Sequence, residues 1–282
     1  MEHSPSSNIL IVDDDPGVHK ILTAVLAPND WRIESAYNGL EGLDRVRAKP
    51  FDLVITDVRM PGMDGLELLH SIRQLRPDTK VMVMTGESTP AHIIQSIREQ
   101  AFSYFSKPFS PGAVVDMVAQ ALKTPAWQDD IQILSAKPEW IALSVRCKVD
   151  LADRVVQFLR ELKMDLPPEE REQIATAFRE MLLNSIEHGG HCDPQKQLYV
   201  AYVRTTRALL YYIRDPGQGF SMAAIPHAAV SNTPDGPVAH MAVRQEQGIR
   251  PGGFGILLVR KLVDELIYNE TGNEVLLIKY LK

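Results

Sequence analysis

Cysteine is nearly missing from this chain. Its 282 residues include two, Cys147 and Cys192, which cannot build a disulfide framework and fit a reducing compartment. Basic charge is not in excess either. Residues 1–123 hold 12 Lys and Arg against 16 Asp and Glu, and the remainder 18 against 20, for a net charge of −6. Neither half offers the basic face of a nucleic-acid-binding output. Long apolar runs are also lacking: none approaches the roughly 20 residues of a membrane span, and "MEHSPSSN" is not a signal peptide. No internal repeat or low-complexity tract interrupts the pattern. These absences point to a soluble cytoplasmic protein with no nucleic-acid or membrane partner.

What remains is 45% hydrophobic and 23% charged, a globular composition with length enough for two domains. Residues 8–123 interleave short apolar strands ("NILIVDD", "RIESA", "DLVITD", "KVMVMTG", "FSYFSKP") with five amphipathic stretches at about 17–27, 39–48, 65–75, 90–100 and 111–123. That order predicts an α/β fold, a doubly wound five-stranded parallel sheet. Ligands of such sheets sit at the carboxyl ends of the strands, where Asp13, Asp14, Asp57, Thr85 and Lys107 fall.

Residues 124–138, "TPAWQDDIQILSAKP", have prolines near both ends and no clean period, and read as a linker with a short strand at 131–134. From 139 onward the order changes. "WIALSVRC" is a strand, 150–163 and 168–188 are helices, and "QLYVAYVRT" and "ALLYYIRD" are strands. Residues 216–251 are rich in Gly, Pro and Ala and read as a mobile lid. "GFGILLVRKLVDEL" is a helix and "EVLLIKYL" a closing strand. This predicts a second α/β sandwich over 139–282, a mixed or antiparallel sheet with helices on one face.

Converging carboxylates repel one another unless a cation sits among them, and Mg²⁺ suits an all-oxygen site that keeps waters and a phosphate. An aspartate beside it can act as nucleophile toward phosphorus. "ILIVDDDP", "DLVITDVRMPGMDG", "VMVMTG" and "YFSKPF" resemble the receiver domain of two-component response regulators. The resemblance covers 8–123. It implies Asp57 as phosphoacceptor, with Asp14, Asp57 and the Arg59 carbonyl on Mg²⁺ and Asp13 assisting. It also implies Thr85 and Tyr104 as the switch pair, Lys107 on phosphate, a cis Lys107–Pro108 bond, and a histidine kinase as phosphodonor. Gln100 stands where that family often has Gly. Arg59 and Glu87, two residues beyond Asp57 and Thr85, are expected to flank the entrance for attacking water.

In "REMLLNSIEHGG" the residues Glu180, Asn184 and His188 recur every four positions, a polar stripe on one helix. "RDPGQGF" sets Asp215, Gly217 and Gly219 after a strand, and "RPGGFGILLVRKL" sets Gly252, Gly253 and Gly255 at the mouth of a helix. Glycines there let backbone N–H groups approach phosphate. A buried Asp can accept a bond from an exocyclic amine such as that of adenine. In this order the segments resemble the histidine-kinase-like ATPase domain, nearest to its anti-sigma factor and serine/threonine kinase branch, over about 139–282. The resemblance implies ATP as ligand, Asn184 on Mg²⁺, Asp215 on adenine, and Gly217, Gly219, Gly253 and Gly255 around the nucleotide. Glu180 becomes the candidate base. Asn273 stands where many relatives carry Thr.

His188, His191 and Cys192 lack a fourth partner for a metal site, so a structural or solvated role is expected. Cys147, on an apolar strand, reads as core. The expected whole is a response regulator whose Asp57 phosphorylation controls an ATP-binding serine/threonine kinase output. Its partner would be an anti-sigma-factor antagonist or a sigma-like factor. The alternative is an ATP-binding module that sequesters a partner without kinase activity. A hybrid histidine kinase is disfavoured, since 124–138 cannot supply two long phosphoacceptor helices. If the chain forms a homodimer, either half could carry the contact.

Overall fold

A computed structural model describes residues 7–86, 89–123, 130–137, 139–162, 166–220 and 255–281. The chain divides into two compact units, Met1–Asp129 and Asp130–Lys282.

The first unit alternates β1 (Asn8–Val12), α1 (Pro16–Leu26), β2 (Arg32–Ala36), α2 (Gly39–Ala48), β3 (Leu53–Asp57), α3 (Gly65–Leu75), β4 (Lys80–Thr85), α4 (Pro90–Arg98), β5 (Ser103–Ser106) and α5 (Pro111–Lys123). Its strands pair in parallel in the order β2-β1-β3-β4-β5, the doubly wound sheet expected from the sequence. β3 and β4 are buried along their whole length, which is why their centres, Leu53–Ile55 and Val81–Met84, read as apolar runs without alternation. On one face Ile9, Ile11, Ile55 and Met84 pack with Leu22 of α1 and Val118 of α5. On the other, Val12 lies so close to α2 that a Cβ on Gly42 would come within 3.0 Å of it. Side-chain caps begin the first three helices: Asp15, Asn38, and Asp64 in a reciprocal capping box with Glu67.

Lys107–Pro108 is cis, as expected. Gln100 has φ 57, the left-handed conformation a Gly enters freely and other residues enter at about 1–2 kcal/mol. Its amide oxygen accepts a bond from Arg73, which offsets part of that cost.

The second unit runs β6 (Ile131–Lys137), β7 (Trp140–Arg146), α6 (Asp150–Glu161), α7 (Pro168–Asn184), a π-helical turn (Ser185–Gly189), β8 (Gln197–Arg204), β9 (Ala208–Arg214), α8 (Gly255–Leu262), β10 (Glu265–Tyr268) and β11 (Glu274–Tyr280). The sheet order is β10-β11-β9-β8-β7-β6. Among the described residues every pairing is antiparallel, the second of the two sheet types the sequence allowed. Phe178 of α7 stacks on Tyr211 of β9 at 5.4 Å, and Lys279 of β11 pairs with Glu170 of α7 at 3.4 Å. Arg179 of α7 reaches Asp153 of α6 at 2.6 Å.

Three elements depart from the sequence reading. Residues 131–137 of the expected linker form β6, whose Ile131 and Ile133 pair with Val145 and Leu143. A register shift between Ile133 and Ser135 breaks its alternation, so the sequence shows only the first few residues as strand. The helix expected to run to Leu266 stops at Leu262, and Glu265–Tyr268 becomes strand β10. Leu266 gains a place opposite Leu277, a tertiary pairing that overrides local helix propensity. Finally, α7 ends at Asn184 and continues as the π turn.

Candidate functional site: a carboxylate pocket and a nucleotide pocket

The first pocket lies at the carboxyl ends of β1, β3 and β5. Asp13 follows β1 and is fully buried, while Asp14 next to it is exposed. Asp57 ends β3 and is 5% exposed. Lys107 leaves the end of β5, tied by its N–H to the Thr85 carbonyl at 2.6 Å. Its ammonium lies 2.7 Å from Asp13 Oδ2 and 2.6 Å from Asp57 Oδ1. The second Asp57 oxygen accepts the Arg59 N–H at 2.6 Å.

Burial pushes the Asp57 carboxyl above its ordinary range, against the pull of Lys107. Burial pulls Lys107 down, but its bonds to Asp13 and Asp57 outweigh that and leave it raised. The pocket thus holds a carboxylate partly neutralised by an internal ammonium on one oxygen and a backbone N–H on the other. Such a group can attack phosphorus. Thr85 and Tyr104 are both buried, on β4 and β5. Arg59 is exposed at the rim, and Glu87 lies outside the described residues. Gly65 was not singled out from the sequence. A Cβ there would stand 1.9 Å from the Asp57 carbonyl oxygen, so the "MDG" glycine lets α3 start against the backbone of Asp57.

The second pocket is shaped by glycine contacts. Glu180 and Asn184 lie one turn apart on α7, both half-buried. A Cβ on Gly255, the first residue of α8, would meet Glu180 Oε1 at 2.2 Å. That puts the carboxylate against the mouth of α8. Asp215 follows β9. Its Oδ1 accepts the Gly217 N–H at 2.8 Å, and its N–H donates to the Asn273 carbonyl at 3.0 Å. Burial pushes the Asp215 carboxyl up, and only the Gly217 bond pulls it back. Gly219, at φ 76, passes 1.9 Å (measured from a Cβ placed on it) from the Thr271 carbonyl oxygen. Asn273 joins this turn, receiving bonds from Asn269 at 2.9 Å and Thr271 at 2.6 Å. Gly253, Gly252 and most of the expected lid lie outside the described residues.

The polar stripe does not continue to His188. The π turn, closed by Gly190 N–H to the Ser185 carbonyl at 2.8 Å, holds more residues per turn than an α-helix. His188 is exposed, and Gly189 takes the next place on the stripe. A Cβ on Gly189 would lie 2.2 Å from Asp215 Cγ. Read from the sequence, "HGG" is a helix stop. In the structure its first glycine is a wall of the Asp215 pocket. Cys147 is fully buried against Gly190 and its thiol is pushed up to about 11, chiefly by burial. His191 and Cys192 are exposed, with φ 57 and 52.

With both pockets drawn, comparison with known proteins gives each half a class. Residues 9–119 match the response regulator receiver domain, and residues 145–279 match the histidine kinase-like ATPase domain. The chain joins a receiver domain to a histidine-kinase-like ATPase domain. The Escherichia coli K12 transcriptional regulatory protein GlrR is 32% identical over 126 residues, 45% of this chain and 28% of that one. The Klebsiella oxytoca transcriptional regulatory protein ZraR is 41% identical over 101 residues, 36% of this chain and 23% of that one. This chain therefore spans about a quarter of the length of these curated relatives. A solved CheY-like receiver domain protein from Methanospirillum hungatei JF-1 is 30% identical, covering 42% of this chain and 94% of its own, with a TM-score of 0.41. No described helix is long and apolar enough to cross a membrane.

Proposed function

We propose that this protein is a cytoplasmic phosphorylation-controlled switch whose output is a serine/threonine protein kinase of the anti-sigma factor type. A histidine kinase loads Asp57, and the ATPase domain phosphorylates or holds a protein partner, an anti-sigma-factor antagonist or a sigma-like factor. We divide the chain into a receiver at 1–123, a join, and an ATPase domain whose sheet begins at β6. Neither half carries the basic excess that a DNA-binding output would need.

The observation that carries the kinase reading is the Glu180 carboxylate held against Gly255 at the mouth of α8, one turn before Asn184. From there Glu180 would accept the proton of a Ser or Thr hydroxyl as its oxygen attacks the γ-phosphorus and ADP leaves. Asn184 would face the phosphates and Asp215 would accept a bond from the adenine amine. Gly217, Gly219, Gly253 and Gly255 would let the backbone close on the nucleotide.

The receiver donor set fits Mg²⁺. Among the described residues no three His, Cys, Asp or Glu side chains form a metal cage by themselves, and Lys107 already answers Asp13 and one oxygen of Asp57. Mg²⁺ asks for no cage: it takes one or two carboxylates, a carbonyl and several waters. Asp14, Asp57 and the Arg59 carbonyl would hold it, with Asp13 assisting, and Asn184 would hold the ion that accompanies ATP. Bound there, Mg²⁺ supplies positive charge to phosphoryl oxygens. Lys107 would hold the new phosphoryl group, and Thr85 and Tyr104 would report its presence.

The test recovers partners of the full chain with and without an acyl-phosphate mimic and incubates the complexes with labelled ATP. Label on a partner's Ser or Thr supports the kinase. Stable capture without transfer selects a sequestering module instead.

A further inference from the structure

We propose that His19 is a positioning residue of the receiver's acidic pair, setting the aim of Asp14 through the Asp13 carbonyl. The inference rests on the reading of this pocket as a Mg²⁺ site. His19 lies on α1, four residues past the Asp15 cap, and is 5% exposed. Its Nε2 is 2.8 Å from the Asp13 carbonyl oxygen. A carbonyl only accepts, so Nε2 carries the proton. Its Nδ1 shares a hydrogen bond with the Ser35 hydroxyl at 3.0 Å, and its ring rests against Tyr37 with centroids 4.6 Å apart. The ring is therefore fixed from β2 and applied to the end of β1.

Asp13 is held at every polar atom. Its N–H donates to the Ala36 carbonyl at 3.2 Å, Oδ1 accepts the Asp15 N–H at 2.9 Å, and Oδ2 accepts Lys107 at 2.7 Å. Asp14 is exposed. What orients it is the peptide plane it shares with Asp13, and a peptide plane is rigid. The His19 bond grips the oxygen of that plane. Turning the plane would swing the Asp14 backbone, and its carboxylate with it. Groups one bond removed from the ligands of an ion commonly act this way.

The test is a Mg²⁺ titration of the full chain without nucleotide, read from amide shifts of residues 13–15 and 57–59. His19→Leu, which cannot donate, is expected to raise the half-saturating Mg²⁺ about 10-fold. His19→Gln, whose amide reaches the same carbonyl, should stay within about threefold of the parent. This rescue separates positioning from mere packing. Equal affinity in His19→Leu and the parent overturns the proposal, and so does a folded His19→Gln as weak as His19→Leu. Should His19→Leu fail to fold, Ser35→Ala decides: it frees the ring and should weaken Mg²⁺ about threefold with the thermal midpoint kept, and no change overturns the proposal. A parent chain with no saturable shift overturns the Mg²⁺ reading beneath it, a result distinct from equal, saturable titrations.

Discussion

The two pockets hold an aspartate each, Asp57 buried and Asp215 half-buried, and answer its charge differently. Asp57 and Asp215 are both pushed upward by burial. Asp57 has an ammonium 2.6 Å away and a backbone N–H on its other oxygen. Asp215 has one backbone N–H and walls of glycine. Asp57 has a cationic partner within its own pocket, while among the described residues Asp215 has only the Gly217 N–H to answer its charge. The difference suits what each must do. On the proposed assignment, a phosphoacceptor at Asp57 has to survive alone between signals, whereas a base-recognising carboxylate at Asp215 becomes satisfied when its ligand arrives.

Asp57→Asn breaks the comparison most completely. The amide cannot attack phosphorus, so acid-labile label from a small phosphodonor should vanish while ATP binding to the other half is unchanged. Retained label would remove Asp57 from its assigned role. Glu180→Gln comes next: ATP affinity should hold, and transfer to a partner should slow by roughly 10²–10⁴-fold, the usual worth of a positioned base. Single-turnover rates with labelled ATP read both quantities, and parental rates would favour the sequestering module.

Gly189→Ala tests whether shape alone makes the second pocket. The added Cβ would sit 2.2 Å from Asp215 Cγ, and overpacking of about 1–3 kcal/mol must be relieved by moving Asp215. ATP and ADP affinity should fall together, by up to about 100-fold. Gly112→Ala, where nothing lies within 4 Å, should leave nucleotide titrations as they were. Equal titrations for Gly189→Ala and the parent would separate Gly189 from the site.

Much of this was readable in the sequence because polar residues at strand ends have no packing reason to be there. Asp13, Asp57, Thr85 and Lys107 stood out on that ground, and the structure brings Asp13, Asp57 and Lys107 into contact. Gly65 and Gly189 did not stand out. Their importance is the absence of a side chain at a contact between distant segments, and only the fold reveals which segments meet. The π turn was hidden for a related reason. An i+4 stripe assumes α periodicity, and one wider turn exchanges His188 for Gly189. β6 was read only in its first four residues and β10 was read as helix, because pairing with β7 and β11, rather than their own pattern, makes the rest strand.

The smallest expected effect concerns the charge of Asp215. A carboxyl raised by burial holds its proton more tightly folded than unfolded. The stability this adds is therefore fully present below the ordinary carboxylate pKa and is lost as pH rises through the raised folded value. Above that raised value the nucleotide-free chain carries the burden of a half-buried Asp215 charge answered by the Gly217 N–H. Asp215→Asn keeps an oxygen for the Gly217 N–H and removes that charge, so the unliganded thermal midpoint at pH 7 should hold or rise. The advantage should shrink as pH falls toward 4. Ligand affinity should move the opposite way. The Asn amide can turn a donor toward the adenine amine, and loss of one charge-assisted bond should weaken adenosine roughly 10-fold at pH 7. Adenosine has no phosphates to titrate, so comparing its affinity in parent and variant separates Asp215 from the adenine ring's own protonation. In the parent that affinity should fall with acid as the acceptor becomes protonated, and in Asp215→Asn the acid limb should be shallower, with only the adenine ring's own protonation left. A parent and variant with parallel profiles would place the adenine contact on some other residue and leave Asp215 with only its bond to Gly217.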